Sequence, residues 1–410
     1  MTGLRIGNGK RQAFHWAVLV LVVLAAGELL GLVGLAALSK LRGLKYDPIS
    51  EERLPEMARE RIAALVAGRT AYVAHSPTLG WTLKPRGVAF PYRASAQGLR
   101  ADRDYALVSP PGILRIAAFG DSFTHADDVT NEEAWTRQLE ALDPRLEVLN
   151  FGVLGYAPDQ ALLRYQEDGA RFQPKLVLLG VMPENVFRIV NVFRPFYSSR
   201  SELPLAKPRF LLEGDRLLLL PNPLPRLADY EALLREPSAW LPRLGAHDYF
   251  FRIRARPGPF EFYAPVRIAR LIAQERRTAP ADQVFRDGCY NADSEAFRLL
   301  VRLIAEFRRV ALAQGALPLV VIFPDRSDLA RYREARTRRY EPLRAQLARS
   351  PEPWLDLLDV FGPPSAGSVD ELARGHYTPR GNALVAGALH AWLADRGLLD
   401  GAGLRRARSR

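Results

Sequence analysis

Short apolar runs separated by segments of helical periodicity recur through this chain, and that alternation limits the fold more than any other feature. Residues 113–119 (ILRIAAF) are a brief apolar run ending at Gly120, the pattern of a buried strand. Residues 132–142 have helical spacing, 146–151 (LEVLNF) predict a second strand, 160–172 a helix, and 176–181 (LVLLGV) a third strand. Strand and helix in turn predict a parallel sheet covered by helices on both faces. The pattern lapses over about 187–291, a stretch dense in Pro and aromatic residues, where 210–220 predict a hairpin turning at Gly214-Asp215. This stretch is expected to be an insertion over one end of the sheet. Alternation then resumes, with a helix over 294–314, a strand over 317–323, a helix over 331–348, a short strand over 354–360 and a closing helix over 381–398.

Ahead of this pattern, residues 16–38 are apolar except for Glu28, and about 20 such residues span a bilayer as a helix. Glu28 at mid-membrane costs roughly 2.5–3.5 kcal/mol, which the surrounding Leu and Val offset. Two rival readings are a cleaved signal peptide, for which the run is long and lacks a small-x-small cleavage site, and a buried soluble helix, which normally carries a polar face. Basic residues lie on both sides (Arg5, Lys10 and Arg11 before; Lys40, Arg42 and Lys45 after), so the charge rule leaves orientation nearly balanced. The expected layout is a basic tail (1–12), a single-pass anchor (13–39), a linker and lead-in (40–110) containing an amphipathic helix over 51–67, a main domain (111–398) with its insertion, and a basic tail (399–410). The body is expected on the periplasmic or extracytoplasmic side.

The formal charge of +12 comes mainly from arginine. No nucleic-acid fold motif accompanies it, so no nucleic-acid partner is expected, and a solvated basic surface is favoured over lipid headgroups. Cys289 is the single cysteine, which excludes an internal disulfide and a cysteine-rich zinc site. Neither a metal nor a cofactor is expected.

Four short segments carry chemistry. Gly120-Asp121-Ser122 follows the first strand, where ligands bind in open parallel sheets and where helix-start N–H groups favour a developing negative charge. A plain helix cap reads the same way. Asn150-Phe151-Gly152-Val153-Leu154-Gly155 ends the second strand; its glycines permit positive φ, and the Gly155 amide can face a substrate oxyanion, though an ordinary turn also favours Asn and Gly. Asn185 follows the third strand and can supply a side-chain donor or a cap. His376, in RGHYTPRGN before the closing helix, has the pKa a base needs to activate serine. His125 is the competing base and ranks second, since a residue three beyond Ser122 points away along the new helix.

GDSFT, NFGVLG, the Asn after the third strand and the late His together resemble the four blocks of SGNH/GDSL hydrolases. The resemblance covers about 76–398 and includes HSPTLGWTLKP and ASAQGLR in the lead-in and KPRFLLEGDRLLL in the insertion, which are similar to bacterial membrane-anchored members. It implies a flavodoxin-like α/β/α sandwich, with Ser122 as nucleophile, His376 as base, and the Ser122 amide, the Gly155 amide and the Asn185 side chain as oxyanion donors. The family places an Asp two or three residues before the His, where this chain has Ala373 and Arg374. Asp370 and Glu371 are the nearby acids, at a different spacing; a Ser-His dyad or an acid from elsewhere are the alternatives. The implied activity is a serine esterase acting on a small acyl ester, such as O-acetyl on a cell-envelope carbohydrate. An O-acyltransferase using the same site and a carbohydrate-binding relative with weakened catalysis are the other readings.

Overall fold

In the computed structural model, which describes residues 8–42 and 44–399, five parallel strands form the central sheet. They are β1 (Leu114–Phe119), β2 (Leu146–Asn150), β3 (Leu176–Val181), β4 (Leu317–Ile322) and β5 (Trp354–Asp356). Their spatial order is β2-β1-β3-β4-β5, and every pairing is parallel. This is the flavodoxin-like doubly wound order, whose switch point lies between the carboxyl ends of β1 and β3. Strands β1 and β3 are buried along their whole length, as unbroken apolar runs with helices on both faces should be. The one charge in β1, Arg115, is paired in register with Glu147 of β2. Its guanidinium bonds Glu147 at 2.6 Å and the carbonyls of Leu107 and Phe172 at 2.8 Å, so the buried charge is paired rather than stranded, with only Nη2 left without a partner.

Eight helices are needed to place the site: α1 (Asn8–Arg42), α2 (Ser122–His125), α3 (Trp135–Leu142), α4 (Pro158–Arg164), α5 (Ala264–Arg277), α6 (Glu295–Ala313), α7 (Arg326–Ala335) and α8 (Pro379–Asp395). Helices α3 and α8 pack together on one face, and α4 and α6 on the other. The architecture is therefore a three-layer α/β/α sandwich. The expected strands 113–119, 146–151, 176–181 and 317–323 form within a residue or two of those bounds.

Two expected elements differ. The helix expected over 331–348 is broken into α7 and a second helix, Glu341–Leu347, because Arg336 turns left-handed (φ 55°). The strand expected over 354–360 stops at Asp356 and gives way to a short helix, Leu358–Phe361. Asp356 is buried and accepts bonds from the Leu358 amide at 2.9 Å and the Tyr340 hydroxyl at 3.0 Å, which ends the strand as a cap.

The lead-in contains two small hairpins, Val73–Ser76 with Gly80–Leu83 and Val88–Ala89 with Tyr92–Arg93. Inside 187–291 the hairpin Arg209–Glu213 with Arg216–Leu220 turns at Gly214 (φ 59°), and helices including α5 follow.

The apolar run lies within α1, a single helix whose stretch Arg11–Leu41 is long and apolar enough to cross a membrane. Phe14, Trp16, Leu21 and Val23 on it are exposed. One side of its second half is gripped by α5: a Cβ on Gly27 would lie 2.0 Å from the Tyr263 hydroxyl, and one on Gly31 2.7 Å from the Ala264 Cβ. Glu28 accepts the Ala264 amide at 2.6 Å and pairs with Arg267 at 3.2 Å. The acidic residue that interrupts the apolar run thus has partners in the body. The expected tails at 1–7 and 400–410 lie outside the described residues.

Candidate active site

Ser122 opens α2 directly beyond β1. Asp121 caps this helix, accepting the Phe123 amide at 3.0 Å. The Ser122 turn is squeezed between neighbouring strand ends. A Cβ on Gly152 would meet the His125 amide at 2.3 Å, and one on Gly180 the Thr124 hydroxyl at 2.1 Å, so both positions require glycine for close backbone approach. Asn150 ties the second segment to this turn. Its amide nitrogen donates to the Thr124 carbonyl at 3.0 Å and its oxygen accepts the Gly152 amide at 2.9 Å.

His376 arrives from the far end of the chain. Asn382 on α8 clamps its loop, donating to the carbonyls of Tyr377 and Thr378 at 3.1 and 3.0 Å and accepting the Trp135 amide of α3 at 3.1 Å. The imidazole lies 5.0 Å from the Phe123 ring. Its Nε2 is 2.9 Å from the Ser122 Oγ, and its Nδ1 is 2.9 Å from Asp128 Oδ2. With a carboxylate on Nδ1, that nitrogen carries the proton, leaving Nε2 to accept from the serine hydroxyl.

The acid facing the histidine is therefore Asp128, not Asp370 or Glu371. Asp370 is exposed and paired with Arg326 at 2.7 Å. Glu371 accepts the Ser368 amide at 2.6 Å, as part of a capping box, and faces Arg380. Asp128 comes back to the site because Ala126 and Asp128 both adopt left-handed backbone (φ 66° and 70°), a conformation Asp tolerates well. Arg100, from the ASAQGLR segment, holds that turn: its guanidinium donates to the carbonyls of Ala126 and Val129 at 2.5 Å and of His125 at 2.9 Å. The Asp128 amide is held by the Tyr92 hydroxyl at 2.9 Å. No spacing in the sequence signals this acid; two consecutive acidic residues just after the nucleophile segment are the only hint.

His125 is fully buried and directed away from Ser122. Its Nδ1 bonds Asp127 at 2.5 Å and its Nε2 bonds the Tyr72 hydroxyl at 2.7 Å. Burial, then repulsion by Arg100, pulls its pKa down to about 4, so it stays neutral and structural. His376 differs. Burial pulls its pKa down, but the Asp128 hydrogen bond and the nearby Asp127, Asp128 and Asp121 carboxylates outweigh that and hold it above the ordinary histidine value. The same hydrogen bond from His376 holds Asp128 below the ordinary aspartate value.

Gly155 sits at φ 73°. The Trp81 indole of the HSPTLGWTLKP segment fixes its loop by donating to the Leu154 carbonyl at 2.9 Å, and the Tyr156 hydroxyl returns to the Trp81 carbonyl at 2.5 Å. Gly155 lines the same cavity as Ser122 and His376. Asn185 does not: it has no exposed surface, its amide nitrogen donates to Asp121 Oδ2 at 2.9 Å, and its oxygen accepts the Met182 amide at 2.9 Å. In this geometry it braces Asp121 beneath the site instead of facing a substrate, a departure from the expected donor role. Arg188, which the sequence did not single out, lines the cavity and reaches Asp121 at 3.4 Å, the Tyr156 carbonyl at 3.2 Å and Glu184 at 3.5 Å. The cavity itself has a volume of about 1680 Å³ and runs from Ser122 past residues 197–205 of the insertion to Leu44–Asp47, just beyond α1. Among the described residues no cluster of three or more His, Cys, Asp or Glu is placed to hold a metal ion.

Five parallel strands in the order 2-1-3-4-5 form a flavodoxin-like α/β/α sandwich, and serine, histidine and aspartate converge at its switch point. Among solved structures, the chain is similar to a lipolytic protein of the G-D-S-L family from Desulfitobacterium hafniense DCB-2 (12% identity, 68% of this chain and 98% of that one, TM-score 0.34). It is also similar to a GDSL-like lipase from Bacteroides thetaiotaomicron VPI-5482 (11% identity, 69% and 88%, TM-score 0.31). A third is a two-domain esterase active on acetylated mannans (10% identity, 71% and 50%, TM-score 0.34). No family model and no curated protein matches the chain.

Proposed function

We propose that this chain is a membrane-anchored serine esterase that removes a small acyl group, O-acetyl above all, from a cell-envelope carbohydrate. One observation carries the reading: Ser122 Oγ, the His376 imidazole and Asp128 form a continuous hydrogen-bonded relay with both links at 2.9 Å. In the first step Ser122 Oγ attacks the ester carbonyl as its proton passes to His376 Nε2. Asp128 stabilises the imidazolium, and the amides of Ser122 and Gly155 hold the oxyanion. Collapse expels the sugar alcohol, which takes the proton from His376. Water activated by the same imidazole then attacks the acyl-serine and releases the acid. α1 anchors the chain in the bilayer through the exposed apolar residues of its first half, such as Phe14, Trp16, Leu21 and Val23, and the catalytic body lies on the extracytoplasmic side.

The test is hydrolysis of p-nitrophenyl acetate by the full chain in detergent, compared with Ser122→Ala and His376→Ala. Each substitution should remove nearly all turnover, and Ser122→Ala should abolish labelling by a fluorophosphonate. Parent-like rates in both variants would overturn the reading. The cavity's volume of about 1680 Å³ is room for a sugar acceptor beside the acyl-serine, which favours acyl transfer as a second reading. Product analysis with and without a glycan acceptor separates transfer from hydrolysis.

A further inference from the structure

Arg194 lines the cavity near Ser122 and forms no direct ion pair among the described residues, though the Glu184 and Asp121 carboxylates lie near enough to favour its charge. Its Nη2 lies 3.8 Å from where a Cβ on Gly155 would stand, and it lines the same cavity as Ser122 and His376. Its Nε and Nη1 are buried and have no hydrogen-bond partner. Its guanidinium lies over the Tyr197 ring, 5.3 Å from the centroid. The Tyr197 hydroxyl is itself committed to Glu184. Neighbouring Arg188 also has an unpartnered Nε, but its other nitrogens are taken by Asp121, Glu184 and the Tyr156 carbonyl. Burial, then repulsion by Arg188, lowers the Arg194 pKa to about 10, so the group remains charged at neutral pH.

Burying guanidinium N–H groups without an acceptor is costly, and a bound anion is one arrangement that offsets such a cost. Arginine's planar fork matches a carboxylate or a phosphate through two parallel bonds. Arg61, Arg69 and Arg200 line the outer part of the same cavity and add positive potential along its approach.

We propose that Arg194 forms an oxyanion-binding subsite next to Ser122, and that the acylated substrate is an anionic glycan bearing a carboxylate or phosphate close to its ester. This rests on the esterase reading for the position of the ester, but the subsite can be tested without turnover. Full-length Ser122→Ala protein in detergent is titrated calorimetrically with trigalacturonate, xylotriose and inorganic phosphate at low salt. Trigalacturonate or phosphate should bind at least about tenfold more tightly than neutral xylotriose, and the tighter of the two identifies the anion. Arg194→Gln should weaken the anion roughly ten- to hundredfold, the range for losing a charge-assisted hydrogen bond. Arg194→Lys should recover part of it. If Arg194→Gln fails to fold, salt titration of the Ser122→Ala protein still decides, since anion binding must weaken steeply between low and high salt. Binding of neither anion more tightly than xylotriose, or an anion affinity indifferent to salt and to Arg194→Gln, would overturn the subsite. Loss of Ser122-dependent p-nitrophenyl acetate turnover strikes the esterase reading alone.

Discussion

Replacing Asp128 by Asn tests how the relay works. Asn keeps the size of the side chain and tolerates the left-handed backbone at φ 70°, so the turn survives. What disappears is a negative charge about one hydrogen bond from the imidazolium. Two unit charges some 4 Å apart attract by about 1 kcal/mol in water and about 4 kcal/mol at an effective dielectric of 20. The Asp128 side chain is 58% exposed, so solvent screening puts the pair near the lower end, at about 1–2 kcal/mol. That predicts a loss in kcat/KM of roughly five- to thirtyfold, far short of the ~10⁴ lost when a buried triad carboxylate is replaced and the wrong tautomer results. The pH profile gives a second readout. His376 must be neutral to act as base, and its pKa is held above the ordinary histidine value, with Asp128 among the causes. Parent kcat/KM should therefore fall as pH drops through an inflection above that value, and Asp128→Asn should move the inflection to lower pH. The assay is p-nitrophenyl acetate hydrolysis across pH 5–9. An unchanged rate with an unmoved inflection would refute Asp128 as the partner of His376, and a ten-thousandfold loss would refute the screening argument.

Three further outcomes are expected. Gly155→Ala forces a Cβ into left-handed backbone and to 3.3 Å from Leu203; it should cost about 1–2 kcal/mol of stability and lower kcat more than it raises KM, as thermal melts and steady-state kinetics would show. Asn382→Ala removes the clamp on the His376 loop and leaves the buried Trp135 amide and Tyr377 carbonyl unpaired; a loss of about 1–3 kcal/mol by denaturant titration is expected, with a fall in activity. Lys207→Met strands Asp159 in a buried pair whose side chains are each 1% exposed; it should destabilise by about 3–5 kcal/mol, and the double change with Asp159→Leu should recover much of that.

The sheet was legible because its inner strands are buried on both faces and read as mostly apolar runs bounded by Gly or Pro. Local cues failed where tertiary contacts override them. Nothing in the sequence around Arg336 announces a left-handed break, and Asp356 ends its strand through bonds to Tyr340 and Leu358. Ser122 and His376 were legible because each sits in a recognisable segment at an element boundary. Asp128 was not, since its role depends on a turn held by Arg100 from another segment and on a partner far along the chain. The brace formed by Asn185 was hidden for the same kind of reason, because its neighbour Asp121 belongs to a different strand end.

The lateral contact between α1 and α5 has a mechanical consequence. A body joined only through its linker would swivel, and lengthening that linker would let it roam. Here the body holds the flank of the helix through Glu28 and the flat strip of Gly27 and Gly31, so extra residues after Arg42 would leave its seat on the helix unchanged. The mouth of the cavity thereby keeps one orientation to the helix axis, like a blade bolted to its post.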